Sequence, residues 1–307
     1  MRQRIQVFII SLPHSKRKKK LIQKLRSLEI KYKIIRGVDG KKLNKKKLGH
    51  FYNQIRTKFN IDRNLSAPEI GAAASHIKTY KHIIQKGIQQ AIIMEDDVLP
   101  STQLKKWITD NIEIKDYKLI SFFSWPSNGF LSKNKILILK KFKIYTSKTH
   151  LFSSGCYQIN NKTCKKIIKE TGGKVVGYPD WPFLISKTNI TLTLCLPFLV
   201  MVNDEGISYL KDDLKKKIKN NPVKKIFNKN IIDILRIPYY LLFIPYITRK
   251  YKNLNHYFEH YFIKNFLKLK NLIFNSEISV EERFYQKNNY PKDIRKKAIA
   301  FLKQKKF

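Results

Sequence analysis

The sequence predicts an α/β protein built on a mixed, mostly parallel sheet. Three observations carry this. Short runs of β-branched and aromatic residues without polar alternation recur along the first two thirds of the chain, as strands buried on both faces require. Amphipathic helical stretches separate them, and a strand–helix–strand order favours parallel pairing. Capping residues and glycines stand where those helices must start and stop. With 307 residues and 43% hydrophobic content, the chain can form one large α/β domain plus an appendage, and wholesale disorder is excluded.

Residues 5–12 read as the first strand, a continuous run of Ile, Val and Phe. The apolar core from Val7 to Leu12 is too short for a signal peptide or a membrane span. A basic helix follows, with Leu21, Ile22, Leu25 and Leu28 on one face. YKIIRGVDG is a second strand running into a turn, and residues 41–64 are a polar, basic loop with a short helix. In LSAPEIGAAASHIKTYKHIIQKG, Ser66 and Glu69 have capping-box spacing and Gly87 is a stop. Its small residues let that helix pack closely on something. AIIME is the next buried strand. Strands are also expected at 118–123, 135–139 and 142–146. GCYQIN, then NKTCKKIIKETGG, reads as strand, helix and glycine stop. YPDWPFL is a rigid turn into a short helix at 181–187, and ITLTLCL is one more strand. Cys156, Cys164 and Cys195 have no CxxC or zinc spacing and are expected as reduced core thiols of a cytosolic protein.

The composition changes near residue 210, which divides the chain into an α/β unit, 1–210, and a C-terminal region, 211–307. The second part carries 24 Lys and Arg against 8 Asp and Glu, with dense aromatics, and reads as mainly helical, basic and amphipathic. Its apolar run 231–247 is interrupted by Asp233, Arg236, Pro238 and Pro245, which argues against a bilayer span. Flanking Tyr, Phe and Lys suit a headgroup region instead; a small helical subdomain with an aromatic core is the other reading. The whole chain has 63 basic and 22 acidic residues, a net charge of +41. Such a charge attracts polyanions, whether nucleic acid, an anionic membrane or a phosphorylated substrate, unless it is only lysine-rich surface.

Against that background, Glu95, Asp96 and Asp97 stand in a row at the carboxyl end of a buried strand. Ligands of open α/β sheets sit at that end. Adjacent carboxylates repel one another unless a cation joins them. The expected partner is a hard divalent ion, Mn²⁺ or Mg²⁺, which also binds substrate phosphates, so a nucleoside diphosphate fits. The alternative is a solvated strand end. A metal-dependent nuclease or phosphotransferase is disfavoured because no second acid cluster and no GxxxxGK[ST] loop is present. A non-catalytic nucleic-acid binder is disfavoured because the C-terminal aromatics cluster in apolar runs.

Four segments in order, FIISLPHSKRKKKLIQKL, LSAPEIGAAASHIKTYKHII, AIIMEDDVLP and SSGCYQINNKTCKKII, resemble glycosyltransferase family 25 over roughly residues 5–205. This is the lipooligosaccharide galactosyltransferase family of Gram-negative bacteria. The resemblance implies a GT-A-like domain that moves a hexose, galactose, from a UDP-sugar to a lipopolysaccharide or other surface-glycan acceptor, with inversion. It implies Ser11, Ser75, His76, Glu95 and Asp96 at the donor and Asp97 with Glu95 at the Mn²⁺ or Mg²⁺ ion. Asp180 matches a later acidic turn and is the candidate catalytic base, with Glu205 in reserve. Asp180 reads equally as the N-cap of the helix after it. Gly155-Cys156-Tyr157 departs from the Gly-x-x-Gly-Tyr of many members. A cytoplasmic enzyme with a glycolipid acceptor, held peripherally at the inner membrane and binding no nucleic acid, is the expectation.

The expected role of residues 211–307 has a direct test. The protein should sediment with vesicles containing anionic lipid and ignore neutral ones. Binding should weaken with salt, because screening acts over roughly 10 Å at 0.1 M. Equal recovery with both vesicle types, or none with either, would reduce the charge to surface composition.

Overall fold

The computed structural model describes residues 5–61, 64–115, 118–123, 130–132, 137–139, 142–147, 153–177, 190–202 and 277–279. Asp180, Glu205, the helix expected at 181–187, the run 231–247 and all but three residues of 211–307 lie outside the described residues.

The chain opens with β1 (Ile5–Ser11), α1 (Lys18–Ser27) and β2 (Lys33–Arg36). The basic stretch expected to hold one short helix forms a 3₁₀ turn (Gly40–Lys42) and two helices, α2 (Lys45–Phe51) and α3 (Gln54–Ile61). Helix α4 (Ala67–Gln85) then leads into β3 (Gln90–Glu95). Two elements follow that the sequence did not signal, β4 (Val98–Pro100) and α5 (Thr102–Thr109). After these come β5 (Lys118–Ser121), β6 (Phe130–Ser132), β7 (Leu137–Leu139), β8 (Phe142–Thr146), β9 (Cys156–Asn160), α6 (Asn161–Thr171), β10 (Thr191–Leu196), β11 (Val200–Val202) and β12 (Glu277–Ser279).

Among the described residues, eight strands form one mixed sheet in the order β2-β1-β3-β9-β5-β10-β8-β7. β1 pairs in parallel with both β2 and β3, and β5 pairs in parallel with β10. β9 runs antiparallel between β3 and β5, and β8 runs antiparallel to β10 and β7. β4 and β11 pair outside this sheet, as do β6 and β12, so residues 277–279 pair with the first unit.

Strand alternation sets the layers. On β9, Tyr157 meets His76 of α4, while the adjacent Gln158 accepts from Trp107 Nε1 of α5 at 2.6 Å. α4 and α6 therefore cover one face and α5 the other. Lys105 of α5 donates to the carbonyl of Glu29, just past α1, which puts α1 on the α5 side. The core strands are buried along almost their whole length, polar residues such as Gln158 included. Inside the sheet, Gln158 also donates to Gln90 Oε1 at 3.0 Å and to the Ile112 carbonyl at 2.8 Å, so the buried amides are mutually satisfied. Cys156, Cys164 and Cys195 are buried free thiols, and burial raises all three above the ordinary thiol range.

The helix signals hold at atomic level. Glu69 accepts from the Ser66 backbone N–H at 2.7 Å and the Ser66 hydroxyl at 2.8 Å. α6 starts on Asn160, whose side chain accepts from the Thr163 N–H, and stops at Gly172 with φ of +63°. The small residues of α4 meet backbone. A Cβ on Gly71 would lie 2.6 Å from Gly40 N and from Val38 O. The helix thus rests directly on the turn after β2.

This contact reverses the usual effect of replacing a helical glycine. Gly→Ala inside a helix gains about 1 kcal/mol from propensity alone. Here Gly71→Ala should instead destabilise by about 1–3 kcal/mol, because backbone on the facing side must move. Urea unfolding measures the sign; a more stable variant would show that the close approach is absent.

Candidate active site

The parallel register brings three strand ends to one level. Ser11 pairs with Arg36, and Ile10 with Glu95. A cavity of about 160 Å³ opens above those ends. The loop after β1 contributes Ser11, His14 and Arg17, and the loop after β2 contributes Val38, Asp39 and Lys41. α4 adds Ala72, Ser75 and His76, and the turn after β3 adds Glu95, Asp96 and Asp97. All six residues expected at the donor or the metal therefore meet at one cavity.

The three acids have different surroundings because β3 ends at Glu95 and the chain turns at Asp96 and Asp97. Glu95 turns to the α4 face. Its Oε1 accepts from Ser154 Oγ at 2.5 Å and lies 3.2 Å from His76 Nε2. Burial pushes Glu95 up, but its contacts with His76, the Ser154 hydrogen bond and the nearby Arg17 outweigh this and hold it below the ordinary carboxylate value. Asp96 turns to the α1 face and is buried. It accepts from Ser11 Oγ at 2.7 Å and from Arg17 Nη2 at 2.7 Å. Asp97 stands at the mouth, with Arg17 Nη1 at 3.2 Å from its Oδ2. Burial first, then the Glu95 charge, push Asp97 up to about 7; Arg17 opposes them and Asp96 adds to them.

Ser75 lines the cavity, but its hydroxyl is engaged within the scaffold. It accepts from the Val38 N–H at 2.8 Å and donates to the Gly71 carbonyl at 2.7 Å. His76 is buried and reaches Glu95 through Nε2 and the Tyr157 hydroxyl, at 2.7 Å, through Nδ1. Sequence reasoning missed Arg17, Ser154 and Tyr157. Arg17 was hidden in a run of lysines, although the guanidinium can hold two carboxylates at once where an ammonium serves as a point charge. Ser154 and Tyr157 stand inside the quoted SSGCYQIN segment, but only the β3–β9 register brings them beside Glu95.

Among the described residues, no group of three or more His, Cys, Asp and Glu side chains is arranged to hold a metal ion. The donor set nevertheless fits a hard cation. Glu95 and Asp97 each keep 27% of their side-chain surface exposed at the cavity, and the Arg17 guanidinium pairs with Asp96 and Asp97 but not with Glu95. One or two carboxylates completed by phosphate and water is the usual Mg²⁺ arrangement.

Part of the chain is similar to human procollagen galactosyltransferase 2, with 31% identity over 115 residues, 35% of this chain and 18% of the human protein. It is also similar to the rat probable inactive glycosyltransferase 25 family member 3, at 29% over 97 residues, 30% of this chain and 17% of the rat protein. The chain thus aligns with less than a fifth of the length of either relative. Among solved structures, the inositol-1-phosphate CTP transferase of T. maritima overlaps 72% of this chain and 99% of its own at 10% identity and a TM-score of 0.34. A glycosyltransferase involved in glycosylation of the major capsid of PBCV-1 overlaps 62% and 92% at 11% identity and a TM-score of 0.26. Likeness at that level decides nothing about chemistry. The family described as glycosyltransferase family 25 (LPS biosynthesis protein) matches residues 4–179. That span is more than half of the 307 residues and holds the strand ends, α4, the acidic turn and Tyr157, and the chain belongs to glycosyltransferase family 25.

Proposed function

We propose that the cavity binds the diphosphate of a UDP-sugar and that the protein transfers its hexose, galactose, to a lipooligosaccharide or other surface-glycan acceptor, with inversion. The observation that carries this reading is the cavity at the carboxyl ends of β2, β1 and β3, faced by the Glu95 and Asp97 carboxylates. Galactose is supported by the names of two similar proteins, the human and mouse procollagen galactosyltransferases 2.

Asp97 and Glu95 would hold Mn²⁺ or Mg²⁺, which when bound neutralises charge on the departing diphosphate. Asp96, tied to Ser11 and Arg17, would serve as a structural group beneath the site. The Arg17 guanidinium, which holds Asp96 and Asp97, would lie beside the phosphates. In the transfer, the bond from the anomeric carbon to the diphosphate oxygen breaks while the acceptor oxygen bonds to that carbon. The acceptor's proton passes to a carboxylate, proposed as Asp180, with Glu205 as reserve. Residues 211–307 would hold the enzyme peripherally at an anionic membrane face, near a glycolipid acceptor. No helix among the described residues is long and apolar enough to cross a membrane.

Two substitutions test the assignment. Asp97→Asn should abolish Mn²⁺-dependent UDP binding, and calorimetry showing unchanged affinity would reject it. The same variant has a stability signature without metal. A carboxyl raised to about 7 in the folded state favours folding at low pH, and that contribution is lost as pH rises from about 4 through 7. In EDTA, Asp97→Asn should therefore raise Tm at pH 8 by about 2–4 °C, the equivalent of about 1 kcal/mol, and change little at pH 4. The second substitution, Asp180→Asn, should lower turnover at least about 10²-fold at nearly constant donor affinity. Full activity with a lowered Tm would make Asp180 a helix cap and move the base to Glu205.

A further inference from the structure

We infer that the outward side of α1, with the neighbouring sheet edge at β2, is a docking face for an anionic lipid surface. The basic charge of the α/β unit is concentrated there. Residues 14–47 carry 15 Lys and Arg against 2 Asp and Glu, a net +13 in 34 residues. Residues 48–210 carry 22 against 12, a net +10 in 163 residues. Charge that reflected composition alone would be spread more evenly.

The fold collects part of this charge on one side. α1 buries Leu21 and Leu25. Lys16, Lys19, Lys20 and Arg26 are exposed, and their spacings of three and four residues make them one stripe on the opposite side. Among the described residues β2 ends the large sheet. On β1, Phe8 meets His82 of α4 with ring centroids 5.5 Å apart, so Phe8 faces the α4 side and the alternate residues Ile9 and Ser11 face the α1 side. Ile34 pairs with Ile9 and Arg36 with Ser11, which puts both on the α1 side as well. Arg36 is exposed, and Ile34 is 49% exposed. An uncovered aliphatic side chain thus shares this side of the sheet with the basic stripe.

Lysine and arginine attract anionic lipid and nucleic acid alike. Two observations favour lipid. No aromatic side chain among the described residues is exposed, whereas single-strand binders present rings for stacking. The exposed apolar group on this face, Ile34, suits the boundary between headgroups and acyl chains instead. The face also reaches the cavity rim. Lys16 lies in the loop whose His14 and Arg17 line the cavity, and Arg36 is level with Ser11, which lines it too. A lipid surface along α1 would therefore lie beside the donor cavity, where the sugar of a glycolipid is needed. The inference rests on the reading of the protein as a peripheral enzyme and deepens it by naming a surface separate from residues 211–307.

The test is sedimentation of the full chain with mixed phosphatidylglycerol–phosphatidylcholine vesicles at roughly 0.1 M salt, with pure phosphatidylcholine vesicles as the neutral reference. Each basic residue at such a surface contributes about 5-fold to partitioning, so Lys19→Gln/Arg26→Gln should bind about 25-fold more weakly, and Lys19→Glu/Arg26→Glu more weakly still. Lys162→Glu/Lys165→Glu makes the same charge change on the exposed side of α6, across the sheet, and should lose far less. Melting temperatures should stay unchanged, because all four side chains are exposed. If the wild type binds anionic vesicles and the α1 variants bind equally well, the inference is overturned while the peripheral reading through 211–307 stands. An equal loss in the α6 variant overturns it too, since net charge alone would then be acting. A wild type that ignores anionic vesicles removes the peripheral reading and this inference together. Polyuridylate binding that depends on Lys19 and Arg26, with no vesicle binding, would give the face to nucleic acid instead.

Discussion

Three consecutive carboxylates at the end of one buried strand are the constraint around which the rest of the site is arranged. Left alone, each would raise the cost of ionising the others. The end of β3 and the turn after it separate them: Glu95 goes to the α4 face, Asp96 to the α1 face, and Asp97 to the cavity mouth. Each then meets a different environment. Asp96 is neutralised inside the scaffold by Arg17 and Ser11. Glu95 is held ionised by hydrogen bonds. Asp97 remains incompletely compensated at the opening, where a cation would be most useful. Neighbouring acids whose environments push their ionisation apart are a common mark of a working site.

Helix α4 carries much of this arrangement. Its first turn is closed by Glu69, Gly71 lets it lie against the turn after β2, and Ser75 links that turn to the helix by accepting from Val38. One residue later, His76 points across β3 toward Glu95 and β9. The scaffold contact and the cavity contact are thus adjacent on one rigid rod. Side chains on such an element keep their geometry better than side chains on a loop. The acidic turn is bounded on its other side as well, because β4 follows it directly and pairs with β11.

Much of the fold was legible because its signals are local. The strand-forming stretches of β1, β3, β9 and β10, the Ser66–Glu69 cap and the glycine stops at Gly87 and Gly172 all declare themselves within a few residues. β4 and α5 were not legible. Each is short, and their burial depends on distant partners: β4 on β11, and Trp107 of α5 on Gln158. In the stretch expected to hold one short helix, two form. Tyr52 at the end of α2 is held by Val175, whose place no local pattern reveals.

By itself the sequence determined that a buried strand would end in three acids, that a capped helix rich in small residues would precede it, and that an open α/β sheet would present those acids at its ligand-binding edge. Periodicity, capping and strand length act over neighbouring residues, so they can be read in one dimension. Only the tertiary structure decided that Arg17 is the countercharge, that Ser75 spends its hydroxyl on the scaffold, and that Tyr157 stands behind His76. Those pairings join residues 37 to 81 positions apart. They arise from strand register and from which face each side chain leaves, and neither exists until the sheet has formed.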